Sequence, residues 1–240
     1  MVTDNLKAEQ ESGIKDRDRL PKGALRLYEK LACYDLIIFD MDGTLYFHRG
    51  MQVRMALRLI RHCLSDKRGF KDLSLILKYR KLREEWDSSQ AIDDDELYHK
   101  LEERTGTASD TVGEVIQEWM FDNPMDVVRQ CRDKALLGVI DRLISDGKRV
   151  CIYSDYPTED KCDAVGLPEN VPQYYCGQDE IKTMKPNPSA LFHIMNEYPE
   201  IAKDKVIMVG DRADRDKAAA DNAGIASLIL GRFKVFRYLH

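Results

Sequence analysis

Four short runs of apolar residues punctuate the chain: Leu36-Ile37-Ile38-Phe39, Val150-Cys151-Ile152-Tyr153, Val206-Ile207-Met208-Val209 and Ile225 to Leu230. Runs of this length, bounded by turn residues, predict strands buried on both faces, as in a parallel sheet. Apolar positions between and after them recur at helical spacing and predict helices over roughly 136–146, 157–165, 188–198 and 214–223. A shorter helix carried by Ala24, Leu27, Tyr28 and Leu31 precedes the first strand. Strand and helix in alternation predict an open, Rossmann-like α/β fold with right-handed crossovers. Residues 1–20 lack any apolar period and are expected to be loose.

The stretch 48–131 interrupts this alternation and contains no strand pattern. Val53, Leu57, Ile60 and Leu64 recur at helical spacing, as do Leu75, Tyr79, Leu82 and Trp86, and then Val112, Val115, Ile116 and Trp119. This predicts an all-helical cap, residues 48–131, inserted into a core made of residues 1–47 and 132–240. The charge within the insertion is uneven. Residues 49–83 hold eleven Lys and Arg against two Asp, whereas 84–126 hold two against fourteen acidic residues. Antiparallel helices with mutually attracting solvated faces explain this. A sharper possibility is that Arg54, Arg58 and Arg61, one helical stripe, face an anionic substrate.

Composition narrows the function. The 240 residues carry 37 Lys and Arg against 42 Asp and Glu, a net charge of −5. That balance opposes a nucleic-acid binder, which needs a positive field. No apolar run reaches the roughly 18–20 residues of a membrane span, and the N-terminal segment lacks the apolar stretch of a signal peptide. Six cysteines without a CxxC pair read as reduced thiols rather than a disulfide framework. A cytoplasmic globular protein is expected, with no nucleic-acid or membrane partner.

Ligands of α/β sheets gather at the carboxyl ends of the strands, and here those ends are polar. The first strand runs into Asp40-Met41-Asp42-Gly43-Thr44. Two carboxylates two residues apart, with a glycine permitting a bend, repel each other until a cation or separate hydrogen bonds intervene. That suits a nucleophile beside a general acid/base, with a divalent cation near the first. The alternative is an acidic turn that caps a helix. The second strand ends in Ser154-Asp155, either a phosphate-binding hydroxyl at a helix start or an ordinary turn. Lys185 lies in the rigid Lys185-Pro186-Asn187-Pro188 loop, and Asp211, Asp214 and Asp216 follow the strand 206–209. Carboxylates in such a cluster suit Mg²⁺ or serve as helix caps.

Taken together, LIIFDMDGTL, CIYSD, MKPNP and IMVGDRADRD resemble the four motifs of the haloacid dehalogenase superfamily, in order, over about residues 34–230. The branch resembled is the Mg²⁺-dependent phosphatases with a helical cap. The resemblance implies that Asp40 is the nucleophile forming an aspartyl-phosphate and Asp42 the acid/base. It implies that Ser154 and Lys185 hold and neutralise the phosphoryl group, with Asp155 a further substrate-binding residue. The implied Mg²⁺ site comprises Asp40, the backbone carbonyl of Asp42, Asp211 and, as an outer-shell group, Asp216; Asp214 orients Lys185 or caps the helix. Cap hinges are expected near His48–Gly50 and residues 122–132. Arg49, Arg54, Arg58 and Tyr46 are candidates for contacting the rest of the substrate, a small phosphorylated metabolite. Because Asp42 is present, phosphate-monoester hydrolysis is favoured over dehalogenation. A phosphomutase and a non-catalytic phospholigand-binding regulator remain as alternatives.

Overall fold

The computed structural model describes residues 20–231; the segment expected to be loose therefore lies almost wholly outside the described residues. The core is a five-stranded, all-parallel sheet in the order β3-β2-β1-β4-β5. Its strands are β1 (Leu36–Phe39), β2 (Arg149–Ser154), β3 (Gln173–Tyr175), β4 (Val206–Gly210) and β5 (Ala226–Ile229). β1 is central: Ile38 is in register with Cys151 on one side and Met208 on the other.

Residues alternate between the two faces of the sheet with period two, as extended backbone requires. Leu36, Ile38, Cys151, Tyr153 and Met208 pack into one apolar layer with α9 (Ser189–Asn196) and α10 (Ala218–Ala223). Ile37, Phe39, Val150, Ile152 and Val209 pack into the other, against α1 (Lys22–Leu31) and α7 (Lys134–Ser145). Continuous apolar runs were the correct signal because both faces are covered. β3 escaped that signal: it is a three-residue edge strand, Gln-Tyr-Tyr, too short and too polar to show a period. The helix expected from 157 begins at Glu159 as α8 (Glu159–Val165). The one expected over 214–223 divides into a π-helical turn, Ala213–Lys217, followed by α10.

Between β1 and α7 run only helices: α2 (His48–Ser65), α3 (Gly69–Glu84), α4 (Asp94–Thr105), α5 (Ser109–Ile116), a π-helical turn (Gln117–Asp122) and α6 (Met125–Cys131). α4 shows how locally these are encoded. The Asp93 carboxylate accepts from Asp95 N–H at 2.9 Å, three acidic residues occupy the first turn, and Gly106 closes the helix at φ +67°. The chain enters and leaves the insert side by side: Phe47 N–H donates to Cys131 C=O and Asp133 N–H to Leu45 C=O, both at 2.9 Å.

The helical period of α2 was read correctly, but its apolar face does not point inward. Val53, Leu57, Ile60 and Leu64 are 54–81% exposed, and Met55 is the buried residue of this helix. The arginine stripe is turned toward α6 instead. Arg58 pairs with Asp126, and Arg54 donates to Gln130 at 3.0 Å. Residues 54 and 58 form an i,i+4 pair facing another, 126 and 130, so the two helices are joined row to row.

The far end of the insert is tied to the core. Arg83, 1% exposed, donates to the Asp155 carbonyl at 2.7 Å, stacks 4.4 Å from the Tyr156 ring and pairs with Asp94. Ser88 C=O accepts from Asn187 Nδ2, and Ile92 N–H donates to Lys182 C=O. Replacing Arg83 leaves the Asp155 carbonyl without its donor and Asp94 without its cation. Arg83→Met is expected to lower unfolding free energy by about 1–3 kcal/mol in urea titrations. An unchanged midpoint would show that the tie contributes nothing.

Candidate active site

The site sits at the carboxyl ends of β1, β2 and β4, where a parallel sheet leaves a crevice. Asp40 follows β1 directly and is buried; its Oδ1 lies 2.6 Å from Lys185 Nζ, and its Oδ2 accepts from Thr44 Oγ1 at 2.9 Å. The bend that returns Thr44 to Asp40 passes through Gly43 at φ +94°. A side chain there would be doubly excluded, because a Cβ would fall 2.6 Å from Asp211 Oδ2.

β4 ends at Gly210, and Asp216 folds back over it. Its Oδ2 accepts from the backbone N–H groups of Asp211 (3.1 Å) and Arg212 (2.9 Å), and its Oδ1 lies 2.7 Å from Lys185 Nζ. Lys185 is thus buried between two carboxylates, 2% exposed. Asp155 Oδ1 fixes its loop by accepting from Lys185 N–H at 2.9 Å. Sequence reasoning left Asp214 as a possible partner of Lys185. The structure gives that contact to Asp216, and Asp214 pairs with exposed Arg212 at 2.6 Å.

Oxygens of Asp40, Asp211 and Asp216 all lie within 4.8 Å of one another. Three convergent carboxylates are hard donors, and they fit Mg²⁺. Burial pushes the Asp40 carboxyl well above its usual range; Lys185 opposes this and the charge of Asp216 reinforces it. Burial works against the Lys185 ammonium, but Asp216 and Asp40 outweigh it and hold its pKa well above normal.

The Asp42 carboxylate turns away from that cluster. Both its oxygens lie 2.8 Å from Lys161 Nζ; Tyr46 OH donates to Oδ1, and Ser154 Oγ donates to Oδ2 at 3.3 Å. Burial raises its pKa, yet the Lys161 ammonium and then the Tyr46 hydroxyl hold it below the ordinary carboxylate value. Ser154 Oγ also accepts from Tyr156 N–H at 3.1 Å. Lys161 was not singled out in the sequence. A readable signal exists, however: it lies in the first turn of α8, where the helix dipole disfavours a cation, so a nearby anion has to compensate.

The structure therefore gathers Asp40, Asp42, Ser154, Lys185, Asp211 and Asp216 around one cleft of about 950 Å³, with Asp155, Tyr46, His48 and Arg49 also in its lining. Arg54 and Arg58 are placed elsewhere, committed to α6.

A sequence model of haloacid dehalogenase-like hydrolases matches residues 34–224. The chain belongs to that family. No curated protein matches the hydrolase in sequence. Solved structures resemble it in fold: the HAD-hydrolase YfnB of Bacillus subtilis, bound to magnesium, is 11% identical over 82% of this chain and 88% of its own, with TM-score 0.56. A 2-haloacid dehalogenase of Pseudomonas syringae is 19% identical over 82% and 86%, TM-score 0.55. CbbY of Rhodobacter sphaeroides, in complex with xylulose 1,5-bisphosphate, is 14% identical over 83% and 87%, TM-score 0.53. No helix among the described residues is long and apolar enough to cross a membrane.

The close approach at Gly210 gives a direct test of how Asp216 is held. A Cβ would lie 2.2 Å from Asp216 Oδ2, so Gly210→Ala should displace the carboxylate that anchors Lys185. A loss of about 1–3 kcal/mol in unfolding free energy is expected; full stability in urea titration would mean that the loop yields without strain.

Proposed function

We propose that this hydrolase is a Mg²⁺-dependent phosphatase that cleaves a phosphate monoester through a phosphorylated Asp40. The observation that carries this reading is the arrangement at Asp40: a buried carboxylate on a sheet end, flanked by a buried ammonium and two further carboxylates. Phosphoryl transfer asks the protein mainly for in-line positioning and for neutralisation of spread negative charge.

Asp40, Asp211 and Asp216 are the side chains that would hold the ion. When bound, Mg²⁺ supplies charge neutralisation between the nucleophile and the phosphoryl oxygens. An Asp40 oxygen attacks phosphorus, and the bond from phosphorus to the ester oxygen breaks. Asp42 gives that oxygen its proton. In the second step Asp42 takes a proton from water, whose oxygen attacks the phosphorus and releases Asp40 and inorganic phosphate. Lys185 keeps its charge beside the reacting carboxylate, and Ser154 Oγ donates to a phosphoryl oxygen.

Lys161 resolves a difficulty in this scheme, because a carboxylate held as the anion is a poor acid. An incoming phosphoryl dianion competes for the Lys161 ammonium and for the Ser154 hydroxyl. Both loosen from Asp42, and its buried carboxylate then gains affinity for the proton it must deliver.

Asp40→Asn should reduce Mg²⁺-dependent phosphate release from acetyl phosphate by more than about a thousandfold, because an amide is a poor nucleophile. Circular dichroism should be unchanged. Residual turnover above a few per cent would remove Asp40 from the nucleophile role. Asp211→Ala should raise the Mg²⁺ concentration for half-maximal activity about tenfold or more. An unchanged titration would place the ion elsewhere, and activity surviving EDTA would end the metal-dependent reading.

A further inference from the structure

The cleft has two chemically different ends. Its floor carries Asp40, Asp42, Ser154, Lys161 and Lys185, the groups that the proposed hydrolysis uses. Its opposite wall comes from three elements of the insert, which present Met55 and Leu59 from α2, Leu73 and Ile76 from α3, and Met120 and Phe121 from the π-helical turn. Met55, Ile76 and Phe121 are each less than a tenth exposed. The apolar wall is therefore built from packed side chains rather than loose ones.

Polar groups of the insert lie in the lining too, His48, Arg49 and the Trp119 indole among them. Arg83 is engaged by Asp94, Tyr79 and the Asp155 carbonyl. Gln52 and Glu84 are exposed in the lining, and Arg80 is half-buried. A sugar placed against this wall would leave hydroxyls without partners, each at a desolvation penalty. At about 950 Å³ the cleft is also far larger than a two- or three-carbon ester requires.

We infer that the leaving group is an apolar alcohol, a medium-chain aliphatic or aromatic one, so that the substrate is its phosphate monoester. This inference rests on the phosphatase reading and adds the side of the substrate that the reading leaves open. The phosphoryl group occupies the charged floor. The hydrocarbon lies between α2, α3 and the π-helical turn, where its burial favours the transition state and product alcohol alike.

The test compares kcat/KM for ethyl, butyl, hexyl and octyl phosphate with glycerol 3-phosphate, glucose 6-phosphate and phosphoglycolate, below micelle-forming concentrations and with Mg²⁺ present. Acetyl phosphate reports hydrolysis independently of the leaving group's bulk. Each methylene that enters the wall should raise kcat/KM about threefold to fourfold, so hexyl phosphate should exceed ethyl phosphate by on the order of a hundredfold. Leu59→Asn should flatten that ratio several-fold, and the milder Leu59→Ala should flatten it less; both keep a half-exposed position that tolerates change.

Hydrolysis of acetyl phosphate with a flat alkyl series, or with preference for the sugar phosphates, would overturn the inference and leave the phosphatase reading standing. Preference for phosphoglycolate would do the same and would point to Arg80 as a carboxylate reader. No release from acetyl phosphate or from any ester would overturn the phosphatase reading, and the inference with it.

Discussion

The Lys185 ammonium, buried between Asp40 and Asp216, is the contact on which the rest of the site depends. An ammonium this deep is tolerable only with excellent partners, and removing the lysine would leave two buried carboxylates facing each other without a cation. The sheet provides those partners from separate strands. β1 delivers Asp40, β4 delivers Asp216 by way of its π-helical turn, and Asp155 after β2 fixes the lysine loop. Three strand ends thereby meet at one residue, two through its ammonium and one through its backbone N–H. The buried group still carries excess negative charge, because Asp211 joins two carboxylates that share a single ammonium. Burial is the main reason the Asp40 carboxyl is pushed upward, with the Asp216 charge adding to it; the excess negative charge around it is of the sign that a divalent cation would cancel.

A second ion pair divides the chemistry. Asp42 lies two residues from Asp40 yet faces Lys161, Tyr46 and Ser154 instead of the acidic cluster. Two neighbouring carboxylates in one polar medium would titrate together. Each has its own cation, yet burial and Asp216 outweigh Lys185 at Asp40 whereas Lys161 and Tyr46 outweigh burial at Asp42, so the two proton affinities part in opposite directions before any substrate or metal is bound.

What the sequence made legible follows from the range of each interaction. The strands at 36–39, 150–153 and 206–209 were readable because a doubly covered strand has no polar positions to blur its run. The strand-end carboxylates, Ser154 and Lys185 were readable because a parallel sheet brings its carboxyl ends together whatever the loops do. Asp214 against Asp216 was not decidable, since a π-helical turn shifts which residue faces back over Gly210. Arg54 and Arg58 form a helical stripe that the sequence cannot aim, because its direction is set by Asp126 and Gln130 some 70 positions away. The outward face of α2 failed for a related reason. Helical period reports that one side is apolar, and only packing decides whether that side is covered.

The insert is held to the core at both of its ends. Its base is fixed by the isolated antiparallel bridge between Tyr46 and Arg132 and by the Arg58–Asp126 pair. Its far end is fixed by Arg83 on the Asp155 carbonyl, next to the residue whose backbone positions Ser154. The contact has a price in specificity, since an arginine committed to the core is withdrawn from substrate recognition. The wall that α2, α3 and the π-helical turn supply holds an apolar set beside Gln52, Arg80 and Glu84. Arg58 and Arg83 meet carboxylates of the insert, and Arg83 also meets a carbonyl of the core, while Arg49 and Arg80 stay in the lining of the cleft.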